Sequence, residues 1–282
     1  MKRRERKKTE RMRQPGFPSP RALGLVDVFL FLADARIPWT CRKLAEPYLR
    51  KRKRVYILAK PDLADPALTA TWLEAFKAMG EPVFAVNCHS GAGLPPVLDY
   101  LRLEKRRLDE KAGPGLYARP LRIMLFGTPN VGKSSLANRL LGNRKAPFGA
   151  RPGLTRGSHW LKTGPGGFFT VLDTPGVLDT SQVKGEAKYK LASVWALREN
   201  AYDPEEVALW LASKIASDQE PLNSIEGFAA SRGIVGPGGV LDIDKAYGMF
   251  IHAFREGQLG RVTLETPEEF PELSMPHDNW PE

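Results

Sequence analysis

The run from Gly127 to Ser134 reads GTPNVGKS and fits the spacing G-x-x-x-x-G-K-S/T. Glycines at these positions let backbone N–H groups turn inward around phosphate oxygens. A helix starting at the lysine adds partial positive charge at the same point. Asn130, Val131, Gly132, Lys133, Ser134 and Ser135 are therefore expected to wrap a nucleotide's phosphates, with Lys133 neutralising the β and γ oxygens and Ser134 binding Mg2+. Further along, LDTPG (Leu172 to Gly176) ends an apolar run with an acid. Asp173 suits a carboxylate that holds Mg2+ through water, and the Gly176 N–H suits a contact to the γ-phosphate. Between them, Thr155 in RPGLT is a second hydroxyl candidate for the metal. Lys133, Thr155 and Gly176 are the catalytic candidates of this set.

Upstream, two shorter loops have the character of base readers. ILAKPDLAD contains Ala59, Lys60, Pro61 and Asp62, which match the guanine-reading pattern Asn-Lys-x-Asp except at the first position. VNCHSGAG follows, with Asn87 and Cys88 where a second loop would pack beside the base. Asp62 can accept from guanine N1–H and the 2-amino group, whereas adenine offers no such donor pair at that edge. The missing Asn at Ala59 removes one hydrogen bond, a loss of about 0.5–1.5 kcal/mol. The expectation is looser guanine binding with guanine preference retained.

The elements needed to position these loops are legible around them. VDVFLFLADAR, RVYILAK, PVFAVN and LRIMLFG have the continuous apolar character of buried parallel strands, and further strands are expected near HWLKT and FFTVLDT. DPALTATWLEAFKAMG reads as a helix with Asp65 as N-cap, Pro66 in the first turn and Gly80 at the stop. Leu94 to Lys111 reads as a basic amphipathic helix. Strand alternating with helix predicts an α/β fold, a doubly wound, mostly parallel sheet with loops gathered at the strand ends. After Gly176 the pattern becomes helical. DPEEVALWLASKIAS carries Asp203, Pro204 and Glu206 in a capping-box arrangement, and Ala246, Phe250 and Phe254 form an apolar stripe ended by Gly257. The division expected is a basic arm over 1–20, a nucleotide domain over 21–180, a smaller all-α domain over 184–265 and a disordered Pro- and Glu-rich tail over 266–282.

With 282 residues, 42% hydrophobic and 26% charged, the chain is of soluble globular type. Its net charge of +10 points to an anionic partner, since much of it lies in MKRRERKKTERMR and in RKRKR from Arg50 to Arg54. Such runs equally serve as solvated arms. Two cysteines are too few for a disulfide framework, which suits a reducing cytosol. No signal peptide is visible, and VDVFLFLA is too short to span a bilayer.

In series, the phosphate loop, Thr155 and DTPG spell the phosphate, switch I and switch II parts of a GTPase. The base loops precede them, the reverse of the usual order. With DARIP (Asp34 to Pro38) before the first base loop, the chain resembles the YlqF/YawG-type circularly permuted GTPases over nearly its whole length. The helical stretch SRGIVGPGGVLDIDKAYGMFIHAFREGQLGR resembles that family too. The resemblance implies GTP and GDP as ligands and potassium-stimulated hydrolysis, with Asn130 as the residue marking a K+ site. It also implies a cytoplasmic factor that acts on a large ribosomal subunit precursor and binds its rRNA through the helical part; a monomer without membrane attachment is expected. Two departures bear on turnover. Val177 stands where a water-orienting Gln follows switch II in Ras-like proteins, and Phe17 in QPGFP replaces the family's N-terminal His. Neither side chain can orient water or move a proton. His159 is a possible substitute, and His89 stands near the base loop. Slow intrinsic hydrolysis is expected. A nucleotide-gated RNA-binding module with little hydrolysis is the alternative, and a P-loop kinase is a third reading that DTPG and the base loops oppose.

Overall fold

The protein is described by a computed structural model that covers residues 23–49, 52–113, 119–142, 159–162, 167–173, 178, 180, 182–215 and 224–274. The basic arm, Phe17, Thr155, Gly176, Val177 and the end of the tail lie outside the described residues.

Six strands form one sheet: β1 (Val28–Asp34), β2 (Arg54–Ala59), β3 (Val83–Val86), β4 (Leu121–Gly127), β5 (His159–Lys162) and β6 (Phe169–Asp173). Their spatial order is β3-β2-β1-β4-β6-β5, and every neighbouring pair is parallel except β5 with β6. Six strands were expected, and the doubly wound, mostly parallel arrangement is the one observed. All of β1 is buried, which is why it lacks polar alternation. Its residues divide between two cores: Phe29, Phe31 and Ala33 face one, while Val28, Leu30 and Leu32 face the other.

Helices α1 (Pro38–Leu49), α2 (Pro66–Ala78), α3 (Leu94–Ala112) and α4 (Lys133–Leu141) connect the strands. Asp65 caps α2 as expected, its carboxylate accepting the Leu68 N–H at 2.8 Å. Helix α1 has little local signature. It carries Pro47 inside it and no acid in its first turn. Its N-terminus is instead capped from far away by Glu265, whose carboxylate accepts from the Trp39 N–H at 2.8 Å and from the Thr40 N–H and hydroxyl. Burial pushes the Glu265 carboxyl up, a rise only partly offset by Lys190 and the Thr40 and Trp39 donors.

The helical half contains α5 (Glu186–Ser193), α6 (Pro204–Ile215), α7 (Ile225–Ser231) and α8 (Ile243–Arg255). Ala246, Phe250 and Phe254 are buried along α8 as their spacing predicts. At the start of α6, Asp203 accepts the Glu205 N–H, while the Glu206 carboxylate takes the Tyr189 hydroxyl. The first core runs without a break from the sheet residues Phe31 and Phe126 through Trp39 and Trp72 to Leu211 and Phe250. The helical half thus shares its hydrophobic interior with one sheet face.

Two expectations change. The segment after Thr266 does not begin as a disordered tail. It forms two short 3-10 turns, Pro267–Glu269 and Pro271–Ser274, whose Phe270 ring lies 5.5 Å from Trp39 and 6.0 Å from Trp72. Aromatic area buried against two indoles outweighs the local Pro- and Glu-rich composition. The run RKRKR also turns inward where it is described: Arg52 donates to the Leu23 carbonyl, and Lys53 and Arg54 pair with Glu104 and Glu81. Among the described residues, no helix is long and apolar enough to cross a membrane.

Candidate nucleotide site

The loops after β2, β3 and β4 all leave the sheet at the same edge and meet around a cavity of about 640 Å3. The phosphate-loop wall is Asn130 to Ser135, the first base loop contributes Lys60 and Asp62, and the second contributes Asn87 to His89. Ala59 and Pro61 are not part of that wall. Ala59 is fully buried at the end of β2, paired with Asp34 and Val86.

Closeness between these loops is enforced by missing side chains. Gly132 has φ +109°, and a Cβ there would lie 3.1 Å from that of Cys88. Gly93 has φ +82°, and a Cβ would collide with the Ala85 carbonyl oxygen. Helix α4 also holds the second base loop directly. Arg139 of α4 donates from Nε to the Cys88 carbonyl at 3.2 Å and from its terminal nitrogen to the His89 carbonyl. Asn87 is committed to the same loop: its Oδ1 accepts from the His89 N–H at 2.9 Å and the Ser90 N–H at 2.8 Å.

Lys133 curls onto its own loop, donating to the carbonyls of Gly127 at 3.2 Å and Thr128 at 2.5 Å. Burial lowers its ammonium to about 8. Those carbonyls stand in for phosphate oxygens, and a phosphate would take them over with a full charge. Ser134 lies in the first turn of α4 and lines the cavity. Asp173 ends β6 directly after Leu172, which pairs with Met124 of β4, so the acid lies on the phosphate-loop side of the sheet. Serine and aspartate carry the hard oxygen donors Mg2+ takes, so Ser134 and Asp173 fit that ion by residue chemistry.

The first base loop is braced from the far end of the chain. Arg261 donates from Nε to the Ala64 carbonyl at 3.0 Å and from its terminal nitrogen to the Pro61 carbonyl at 2.8 Å. The Val262 N–H reaches the Leu63 carbonyl, and the Thr263 hydroxyl accepts the Asp65 N–H. Below the loop, Asp34 lies 3.5 Å from Lys60 Nζ and is gripped on both oxygens by Arg36. Arg36 is fully buried, and its remaining nitrogen reaches the Phe254 and Arg255 carbonyls at the C-terminus of α8. Burial alone would raise the Asp34 carboxyl, but Arg36 and Lys60 more than offset it and hold it below its ordinary value. Arg36 and Arg261 lie within stretches that carry the family resemblance, but their partners had no signal in local sequence, and Arg139 had none at all. Trp195, which also lines the cavity from the helical half, was missed too. The only local hint is the sharp turn that follows α5.

A mostly parallel sheet with a phosphate loop after β4, an acid-ended β6 and two loops upstream on the same cavity is the fold of a P-loop GTPase. Residues 122–225 match the family model described as a 50S ribosome-binding GTPase. Ribosome biogenesis GTPase A of Bacillus cereus is 32% identical over 89% of this chain and 90% of its own length. The protein of that name from Thermotoga maritima is 31% identical, covering 88% of each. Two structures of YlqF from T. maritima, one bound to GDP and one to GNP, superpose with TM-scores of 0.65 and 0.64 at 26% identity, over 88% of this chain and 98% and 96% of theirs. The chain belongs to the ribosome biogenesis GTPase A family.

Proposed function

We propose that this GTPase is an assembly factor for the large ribosomal subunit, in which guanine-nucleotide state sets binding to the precursor and its rRNA. The observation that carries this is the convergence of base loops and phosphate loop on one cavity that the helical half also lines. The relatives' names supply the ribosomal setting. On this reading residues 21–180 are the nucleotide domain, residues 184–265 the rRNA-facing helical part, and the basic arm adds salt-sensitive contacts to phosphate. The working form is a cytoplasmic monomer.

Within the site, Asp62 selects guanine and Lys60 covers the base, while Asn87 shapes the second base loop beside Cys88. Lys133 and the N-terminus of α4 hold the phosphates. Ser134, Thr155 and Asp173 hold Mg2+, which supplies charge stabilisation on the phosphates, and Asn130 holds K+. Gly176 follows the γ-phosphate. With Val177 and Phe17 at the usual water-orienting positions, catalysis rests on positioning and electrostatics, and turnover is slow without the ribosome. Because Ala59 cannot supply the usual Asn hydrogen bond, guanine affinity is loose while Asp62 keeps the preference. Titration should show GTP bound well ahead of ATP, and comparable affinities would sink this assignment of Asp62.

The whole reading is tested by co-sedimentation with immature large subunits, measuring GTP turnover in the same tubes. GTP-dependent association with accelerated turnover is expected. GTP-dependent association without turnover would instead indicate a nucleotide-gated RNA-binding module, and association indifferent to nucleotide would overturn the proposal.

A further inference from the structure

Three non-glycine residues among the described ones have left-handed backbone: Lys60 at φ +57°, Asn130 at +55° and Trp195 at +64°. All three line the same cavity. Lys60 and Asn130 belong to the base and phosphate loops, where strained backbone is part of shaping a site. Trp195 belongs to the helical half, in the turn that ends α5. A bulky aromatic residue is costly in that conformation, and glycine would adopt it freely. The surroundings must therefore hold Trp195 there.

Those surroundings are specific. The Trp195 carbonyl accepts the Asn130 side-chain amide at 2.9 Å. Its indole lies 5.9 Å from Lys60 Nζ and 5.5 Å from the Arg255 guanidinium, and its edge meets the His252 ring at 5.8 Å. Arg255 is fixed in turn by the Ala192 carbonyl and the Tyr202 hydroxyl, both at 2.7 Å. A closed circuit results: Lys60 to Asp34, Asp34 to Arg36, Arg36 to the Arg255 carbonyl, Arg255 to Trp195, and Trp195 back to Lys60. Next to it, the Thr180 hydroxyl donates to the Ala196 carbonyl, and the Leu178 N–H donates to Gly127 at the start of the phosphate loop. The turn bearing Trp195 therefore touches the base loop, the phosphate loop and the segment after DTPG.

We propose that Trp195 is a nucleotide-binding residue donated by the helical half, its indole forming cavity wall against the bound guanine nucleotide between Lys60 and Asn130. The inference rests on reading the cavity as the guanine-nucleotide site. Loading the site buries the indole and clamps the turn, so the helical half feels occupancy through Trp195 directly.

The test compares the full-length chain with Trp195→Gly and Trp195→Phe, using a fluorescent GDP analogue. Glycine relieves the backbone while deleting the wall. It should weaken GDP about five- to tenfold, the scale of one lost aromatic contact, while the nucleotide-free melting temperature stays within a few degrees. Phenylalanine keeps a ring and should bind within about threefold of the unaltered chain. The emission missing from Trp195→Phe isolates Trp195, and its quenching by acrylamide should fall when GDP is added. GDP affinity unchanged in Trp195→Gly, or quenching of Trp195 indifferent to GDP, would overturn the proposal while leaving the nucleotide site intact. Failure of the unaltered chain to bind the analogue would remove the site itself, and this proposal with it.

Discussion

Replacing Arg36 with methionine is a demanding test of the buried ion pair beneath the first base loop. The Arg36 side chain is fully buried, and that of Asp34 is 2% exposed. Their contacts are bidentate, at 2.9 and 3.0 Å. Methionine fills much of the volume but leaves Asp34 buried, with Lys60 Nζ at 3.5 Å as its nearest remaining cation. Breaking a buried pair from one side costs about 3–5 kcal/mol. The two carbonyl contacts to α8, at 3.3 and 3.5 Å, are long and add about 1 kcal/mol at most. A loss of about 3–5 kcal/mol is a large share of the stability of a typical domain. Urea denaturation should therefore show a clear fall in the midpoint. Asp34→Asn alone should cost a similar amount, since it strands the guanidinium. The double variant should cost about 2–3 kcal/mol less than the sum of the singles. Additive singles, or an Arg36→Met midpoint close to that of the unaltered chain, would refute the view that this buried pair stabilises the fold beneath the first base loop.

Two further outcomes follow from the site. Arg139→Ala frees the Cys88 and His89 carbonyls from α4, so guanine-nucleotide affinity should drop about three- to tenfold while stability changes by under about 1 kcal/mol; an unchanged Kd in titration would show that the clamp is not needed. Lys133 is depressed from 10.5 to about 8 in the free protein, so above that pH it is mostly neutral, and stability gains as pH rises from there toward 10.5. Phosphate restores its charge, so binding should take up a proton, and affinity should weaken as pH rises past about 8. Calorimetry in buffers of different ionisation enthalpy, kept below the range where guanine loses its own N1 proton, measures that uptake directly; none at about pH 8.5 would count against it.

What could be read in advance is what depends on neighbours in sequence. The strands announced themselves because each is a short apolar run, and the phosphate loop because glycine, lysine and serine must sit within one turn of one another. The Asp65 cap and the Ala246–Phe250–Phe254 stripe are equally local. The missed features join residues far apart. Arg36 meets Phe254 across 218 positions, and Glu265 caps Trp39 across 226. No window along the chain contains both partners. Trp195 shows the same limit: nothing near it in sequence says that its neighbours in space are Lys60 and Asn130. Composition misled at Phe270, where proline and glutamate around it suggested disorder and two buried indoles supplied an anchor. Arg52, Lys53 and Arg54 make a related point, since charge alone does not say whether the partner is outside or within the chain.

The brace on the first base loop has a consequence in time. Leu63 waits for Val262, Pro61 and Ala64 wait for Arg261, and Asp65 waits for Thr263. During synthesis the phosphate loop emerges well before any of these partners, and contacts of such long range close late. A nascent or truncated chain would carry a phosphate cradle with its base reader unsupported. Firm guanine binding then becomes a certificate that residues 261–263 have been made and the helical half docked. A factor that commits to its partner only when loaded would, by this construction, never commit half-built.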